Sequence, residues 1–520
     1  MKRFPWHSIL FMLHAVLFLF AENIDSVKLE DLWMPLVYTA LGSTLVFLVN
    51  FLILRNWIKT GMTTSIGILL FFGFGHYSDL AYTPNADSLG PIFQYDVYLW
   101  GSALIYLLLL FALHKSKSTL EKTNQLLNFF ALVLIAAPLY GIGVNAVNES
   151  ETESTTTVSE PIQGAVSSQK NMPSVYYFIM DAYGRNDVLQ NYFNHDNSTF
   201  TDQLKEMGFY VADQSFANYN KTILSVPSAL NMGYMDKLAN ELGADSKHIQ
   251  PLFDLIDNNR SLAHFKQLGY TSVGLDAPVW NKLYLDSADV FYQTSGVHVN
   301  MFQTELYNLS ILQALDRKRS EHTSVSEYDQ HRKKILNGFD RIVEVSQMDG
   351  PFYVHGHFLS PHQPFVFDEN GGAVNPDHEY SLWIPIEDGR DPVEYRQQYI
   401  AQLKFVNKKL VETVKAILEN STVPPIIIIQ GDHGPCSELR SINTIEGNDF
   451  AERMPILNAY YFPDGNYDAL YPGISPVNSF RQIFSQYFGM NYPLLPDSSF
   501  YSSWERDYDF VNVTDSLNQP

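Results

Sequence analysis

The 520-residue chain has a single cysteine, Cys436, which excludes an internal disulfide framework and a cysteine-rich zinc site. It is also short of basic residues, with 34 Lys and Arg against 56 Asp and Glu. The resulting formal net charge of -22 argues against a nucleic-acid partner. No internal repeat is visible, which sets aside repeat architectures. No small-residue cleavage site follows the first apolar run. Ala21-Glu22-Asn23 is a poor one, so that run reads as a retained anchor and not as a signal peptide.

What is present divides by composition. Apolar runs recur near 8–21, 33–54, 62–79, 97–113 and 127–147. Most approach the ~20 residues needed to cross a bilayer, which predicts a transmembrane domain of about five helices over 1–147. Lys2 and Arg3, then Arg55 and Lys59, then Lys115, Lys117 and Lys122 fall in alternate loops. The intervening loops carry Glu22, Asp25, Glu30 and Asp31, then Asp79, Asp87 and Asp96. By the positive-inside rule the amino terminus and the basic loops are cytoplasmic, and everything after residue 147 lies outside. Residues 148–170 are polar and of low complexity, and read as a flexible linker. Residues 171–520 then form an extracytoplasmic domain.

That domain is organised around Pro424-Pro425-Ile426-Ile427-Ile428-Ile429-Gln430-Gly431-Asp432-His433-Gly434. Four isoleucines in a row are too few for a helix and too apolar for a surface strand. They predict a strand buried on both faces, with a carboxylate and an imidazole at its carboxyl end, where open α/β sheets keep their sites. Ser174–Met180 predicts a second buried strand, ending at Asp181. Further strands are predicted at 209–211, 271–275 and 352–354, and helices at 198–208, 261–268 and around Ile335 to Ile342. A long amphipathic helix steps through Tyr399, Leu403, Val406, Leu410, Val414 and Ile417. Such alternation predicts a doubly wound, mostly parallel sheet with helices on both faces. Tyr460–Pro463 and the segment through Arg481 read as sheet closure and a capped last helix.

Three predicted strand ends carry ligand-type residues: Asp181, the His355/His357 region, and Asp432-His433. Gathered at one sheet edge they predict a divalent-metal site. Mixed oxygen and imidazole donors favour zinc or manganese, with magnesium or calcium as alternatives. In Asn218-Tyr-Asn-Lys-Thr222-Ile-Leu-Ser225-Val-Pro-Ser228, Thr222 or Ser225 sits at the start of a helix, where free N–H groups favour an anion. The stretch His355-Gly-His357-Phe-Leu-Ser-Pro361-His362-Gln-Pro364 places three histidines in a proline-stiffened loop, suited to bonding an oxyanion or protonating a leaving oxygen.

In their order, Ile-Met-Asp181, Thr222-x-x-Ser-Val-Pro-Ser, His-x-x-x-Pro-His362-x-Pro and Gly-Asp432-His433-Gly resemble the alkaline phosphatase superfamily. They are most similar to its membrane-anchored sulfatase-like branch, which includes lipoteichoic acid synthases and lipid A phosphoethanolamine transferases. The resemblance covers roughly residues 171–500. It implies an alkaline-phosphatase/sulfatase-like domain after the transmembrane bundle. It also implies that Asp181, Thr222, Asp432 and His433 bind the metal, with Thr222 as nucleophile through a phospho-threonine, and that His357 and His362 assist. The expected reaction moves a phospho-head group from a membrane lipid to a surface glycan or lipid. Alternatives are hydrolysis of a phosphodiester or sulfate ester, or a catalytically silent membrane protein for assembly or sensing. The chain departs from its relatives in several places. Asp181 stands where the transferases have Glu, and Ala229 replaces the arginine of the sulfatase motif that begins at Ser225. Asp276 and His362 are only loose candidates for a second metal. Substrate and oligomeric state are not legible.

Overall fold

The computed structural model describes residues 4–25, 27–81, 95–152, 172–276, 283, 285, 287–293, 301–320, 327–374, 380–382 and 391–517. The chain forms two compact units, Met1–Val158 with Val299–Ser324 and Ser159–His298 with Val325–Pro520.

The first unit is helical, with α1 (Trp6–Glu22), α2 (Trp33–Leu54), α3 (Trp57–Phe72), α4 (Phe74–Ala81), α5 (Tyr95–Lys115) and α6 (Glu121–Thr152). Leu29–Leu54, Asp96–Lys115 and Glu121–Val144 are long and apolar enough to cross a membrane, and α1 and α3 are shorter apolar helices. Leu41, Leu52, Leu107 and Phe129 are exposed along these helices. In water that much bare hydrocarbon would drive association, whereas lipid matches it. Polar side chains turn inward. His7 Nδ1 meets Ser65 Oγ at 2.6 Å and Nε2 meets Asn124 Oδ1 at 3.2 Å, tying α1 to α3 and α6.

The third expected span, 62–79, falls on two helices, α3 and α4. Asn56 caps α3 by accepting from the Lys59 N–H, so the helix begins at Trp57. It stops at Phe72, with Gly73 as its cap and α4 beyond. Its first turns hide Thr60, Thr63 and Thr64 inside the bundle, and an apolar-run reading misses buried hydroxyls. Of the expected linker, residues 148–152 continue α6, and 153–170 lie outside the described residues. Val299–Ser324 falls within the range read as the extracytoplasmic domain but belongs to the helical unit. Its Phe302 packs edge-on against Phe20 at 5.6 Å, with Leu306 beside Val16, Leu19 and Val27.

The second unit is built on a seven-stranded sheet of β1 (Val175–Met180), β2 (Tyr210–Val211), β3 (Thr271–Leu275), β4 (Val290–Tyr292), β5 (Phe352–Phe358), β6 (Ile426–Gly431) and β7 (Asn458–Tyr461). The strand order is β2-β7-β6-β1-β5-β3-β4. The run from β6 to β4 is parallel, and β7 is antiparallel to both neighbours. The isoleucine strand sits next to the centre, as its composition requires. Ile427 and Ile429 face the core covered by the Glu327–Ser346 and Pro392–Asn420 helices. Ile426 and Ile428 face the core covered by Thr222–Asn231, Arg260–Gln267 and Pro476–Phe488. Burying each isoleucine contributes about 2 kcal/mol relative to leaving it in water.

Two other expectations change. The strand placed at 352–354 runs on to Phe358, so His355 and His357 are strand residues and only His362 belongs to the loop. Two imidazoles facing the same way within a buried strand break the apolar pattern that defines a strand in sequence. The helix Pro476–Phe488 is also not the last element. A hairpin of β8 (Phe500–Ser503) and β9 (Arg506–Asn512) and a short helix, Thr514–Leu517, follow it.

Candidate active site

The register of the parallel strands builds the site. β1 and β6 pair so that Met180 lies opposite Gly431, which puts Asp181 and Asp432 side by side at their carboxyl ends. On the other flank of β1, Ile179 lies opposite His357. Asp432 Oδ1 accepts from the Ala182 N–H at 3.0 Å and from the His433 N–H at 2.9 Å. Asp181 Oδ2 meets His357 Nε2 at 3.3 Å. The other oxygen of each carboxylate, Asp181 Oδ1 and Asp432 Oδ2, is buried without a hydrogen-bond partner. Both adjoin His433 Nε2, at 3.7 and 3.4 Å respectively.

A pair of orphaned carboxylate oxygens facing one imidazole nitrogen is costly unless a cation lies between them. One ligand atom from each of Asp181, Asp432 and His433 falls within a 4.8 Å span, so these residues fit a divalent metal ion.

Local backbone sets this geometry. Ala182 adopts φ +60°, a left-handed conformation that costs an alanine about 1–2 kcal/mol, and Tyr399 Oη holds the turn by donating to its carbonyl at 2.8 Å. Gly434 has no alternative. A Cβ there would come within 2.4 Å of the Glu452 carbonyl oxygen, so the Asp-His-Gly turn can lie flat on the 452–453 backbone only with glycine.

Thr222 opens the helix Thr222–Asn231, with Lys221 as its N-cap residue. Its Oγ1 lies 3.1 Å from His433 Nε2. Ser225 points elsewhere, donating from Oγ to the Tyr219 carbonyl at 2.8 Å. The approach to Thr222 is clamped by the terminal hairpin. The Asn218 carbonyl accepts from the Phe500 N–H at 2.9 Å. Asn220 exchanges side-chain bonds with the Ser502 backbone at 3.2 and 3.1 Å. Lys221 Nζ, almost wholly buried, ion-pairs with Asp507 and donates to the Ser503 carbonyl at 2.9 Å.

Charge is distributed unevenly among the imidazoles. Burial lowers His433 to about 4, assisted by the Arg453 guanidinium, which favours the neutral ring. Its Nδ1 lies 3.0 Å from the Gly434 carbonyl, which favours the proton there and leaves on Nε2 a lone pair suited to ligating a cation. Burial also disfavours the cationic form of His357, but the hydrogen bond and charge of Asp181 outweigh it and raise its pKa. Burial pushes the Asp181 carboxyl up, yet His362, His357 and His433 together hold it well below the carboxylate range.

His362 lies beside the same cluster, its ring 6.4 Å from that of His433 and its backbone N–H donating to the Asp181 carbonyl at 3.1 Å. His355 is buried behind the site against Tyr177, at 5.8 Å between ring centroids. Asp276 pairs with Lys334 at 3.3 Å. Arg481 donates to the Met232 and Pro493 carbonyls, both at 2.7 Å, and so serves packing of the last turns. Sequence reading missed Arg453 and the hairpin clamp. Neither carries a motif, because each reaches the site from a different part of the chain.

A family model described as Sulfatase matches residues 173–480. Among solved structures, the chain is similar to the periplasmic domain of EcEptC from Escherichia coli in complex with zinc, at 12% identity and a TM-score of 0.44, covering 70% of this chain and 98% of that one. It is also similar to the integral membrane lipooligosaccharide phosphoethanolamine transferase A of Neisseria meningitidis, at 12% identity and a TM-score of 0.41, covering 92% and 95% of the two chains. A third similar structure is BT1596, a 2-O GAG sulfatase, at 13% identity and a TM-score of 0.37, covering 62% and 71%. No curated protein matches the chain.

Proposed function

Because this chain belongs to the sulfatase family, we propose that this sulfatase-like enzyme is a metal-dependent transferase. It moves a phospho-substituted head group, of the phosphoethanolamine or phosphoglycerol type, from a membrane lipid to a surface glycan or lipid. The observation that carries this reading is the approach of Thr222 Oγ1 to His433 Nε2 at 3.1 Å, beside two unpartnered carboxylate oxygens, while Ser225 turns away. A threonine hydroxyl in that place is suited to forming a phosphate ester, and it is not the Cys or Ser that sulfatases mature to formylglycine.

Asp181, Thr222, Asp432 and His433 would hold the ion, with zinc or manganese favoured by the mixed donors. Bound there, a divalent ion supplies charge that lowers the pKa of a neighbouring hydroxyl and neutralises phosphoryl oxygens. The residues do the rest. The Thr222 Oγ–P bond forms as the P–O bond to the lipid breaks. The Thr222 proton goes to solvent, and His362 gives a proton to the departing lipid oxygen. The acceptor hydroxyl then attacks phosphorus, passing its proton to His362, and the Thr222–phosphorus bond breaks as Oγ takes a proton from solvent. His357 keeps the Asp181 carboxylate oriented.

A membrane-anchored chain suits a lipid donor, and the alternation of basic and acidic loops supports an inner-membrane protein whose catalytic unit faces outward. The test is intact mass spectrometry of the full-length protein after exposure to membrane lipid. A head-group adduct mapping to Thr222 is expected. An adduct on Ser225 overturns the choice of nucleophile. Free head group released without any modified acceptor marks a hydrolase instead.

A further inference from the structure

Arg453 closes the short helix Phe450–Arg453, and β7 begins further on at Asn458. Its guanidinium reaches back into the site. Nε donates to the Asn220 carbonyl at 3.1 Å, Nη1 to the Gly434 carbonyl at 2.9 Å, and Nη2 to His433 Nε2 at 3.1 Å. The first two contacts anchor it to the two loops that carry Thr222 and Asp432-His433. Among the described residues it has no carboxylate partner, unlike Arg185, Arg332 and Arg396, whose charges are each paired. A half-buried guanidinium without a counter-charge is an anion site in waiting, since its planar fork matches the oxygens of a phosphate or sulfate.

Its position gives this charge a target. Arg453 Nη2 and Thr222 Oγ1 lie at the same distance, 3.1 Å, from one lone pair on His433 Nε2. That nitrogen can serve only one partner at a time. Once it ligates a cation, an N–H of Arg453 is released beside the threonine oxygen. A tetrahedral group under attack by Thr222 must bring its non-bridging oxygens within hydrogen-bond reach of donors at that spot.

We infer that Arg453 is a catalytic residue that grips the non-bridging oxygens of the phosphoryl or sulfuryl group attacked by Thr222. This rests on the reading of Thr222 and its metal ligands given above. It adds a positive charge delivered from a segment that shares no motif with them.

The alternative is that Arg453 only buttresses the two loops, and binding measurements separate the two roles. Full-length protein loaded with zinc or manganese is titrated with inorganic phosphate and with tungstate by calorimetry, for the wild type, Arg453→Lys and Arg453→Gln. Metal affinity and thermal unfolding are measured on the same samples. Loss of a charge-assisted bond predicts anion binding about 100-fold weaker in Arg453→Gln and about 10-fold weaker in Arg453→Lys. Metal affinity should be equal or higher, because a competitor for His433 Nε2 is gone. A purely structural arginine would loosen the metal site and leave anion affinity per loaded site unchanged, and that result overturns the inference. Should Arg453→Gln not fold, Arg453→Lys decides: unchanged anion affinity refutes the role. Thr222→Ala serves as the second control. If it binds phosphate with Arg453-dependent affinity while the wild type forms no adduct, the arginine assignment stands and the nucleophile assignment falls.

Discussion

Asp181 and Asp432 each commit one carboxylate oxygen to protein donors and leave the other bare. Two unpaired buried oxygens repel each other, and only a cation relieves them. Chelating the purified protein is therefore expected to lower its Tm, because a ligand bound only by the native state stabilises it by mass action. Asp432→Ala and His433→Ala should each lose metal by elemental analysis while keeping their circular dichroism; full metal retention in both would remove the proposed site.

Protonation makes a second residue-scale prediction. His331, bonded to Tyr380 Oη at 2.8 Å, is lowered to about 3 by burial, and His355 is lowered to about 3 by burial and by the charge of His357. In the unfolded chain both titrate near 6.5. Between about pH 6.5 and pH 3 the unfolded state thus binds protons that the folded state refuses, so stability falls as pH falls through that window. Thermal unfolding of His331→Gln should show a flatter pH dependence than the wild type below pH 6.5. An unchanged slope would mean that the ring is not held neutral.

At the scale of elements, β8 and β9 matter more than their place after the family match suggests. They hold the backbone from Asn218 to Lys221 from one side, while Met454 holds it from the other by accepting from the Ala217 N–H at 2.7 Å. The Lys221–Asp507 pair is the sealed end of this clamp, with side-chain exposures of 1% and 13%. Removing one partner of a buried pair typically costs about 3–5 kcal/mol, because the other charge is stranded, whereas replacing both with apolar groups costs much less. Asp507→Ala should therefore destabilise the protein strongly, and Lys221→Met with Asp507→Leu should recover most of the loss. If the clamp also sets the nucleophile, the recovered double variant will still label Thr222 more slowly than the wild type. Equal labelling rates would reduce the hairpin to a stability element.

For the whole molecule, the prediction is one of sidedness. With Cys436 replaced by serine, Ser118→Cys lies in the basic loop between α5 and α6, and Asp468→Cys lies on an exposed turn of the second unit. A membrane-impermeant maleimide applied to intact cells should label the Asp468 position and spare the Ser118 position. The reverse pattern would invert the proposed orientation and place the catalytic unit in the cytoplasm.

Much of this was written linearly. The Ile426–Ile429 run had to be an inner strand, the apolar helices had to seek lipid, and a sheet of alternating strands and helices had to leave Asp181 and Asp432 at carboxyl ends, because backbone periodicity and burial are local properties of sequence. Which of two hydroxyls meets the imidazole was not local. Thr222 and Ser225 sit three residues apart on one helix, and only the docking of that helix turns one toward His433 and the other toward Tyr219. Nor could the sequence announce that Arg453, Asn220 and Gly434 converge, since that contact exists only where three separated loops are brought together by packing of the sheet and its helices. Short-range patterns dictated the scaffold; long-range packing chose which side chains meet around Thr222 and His433.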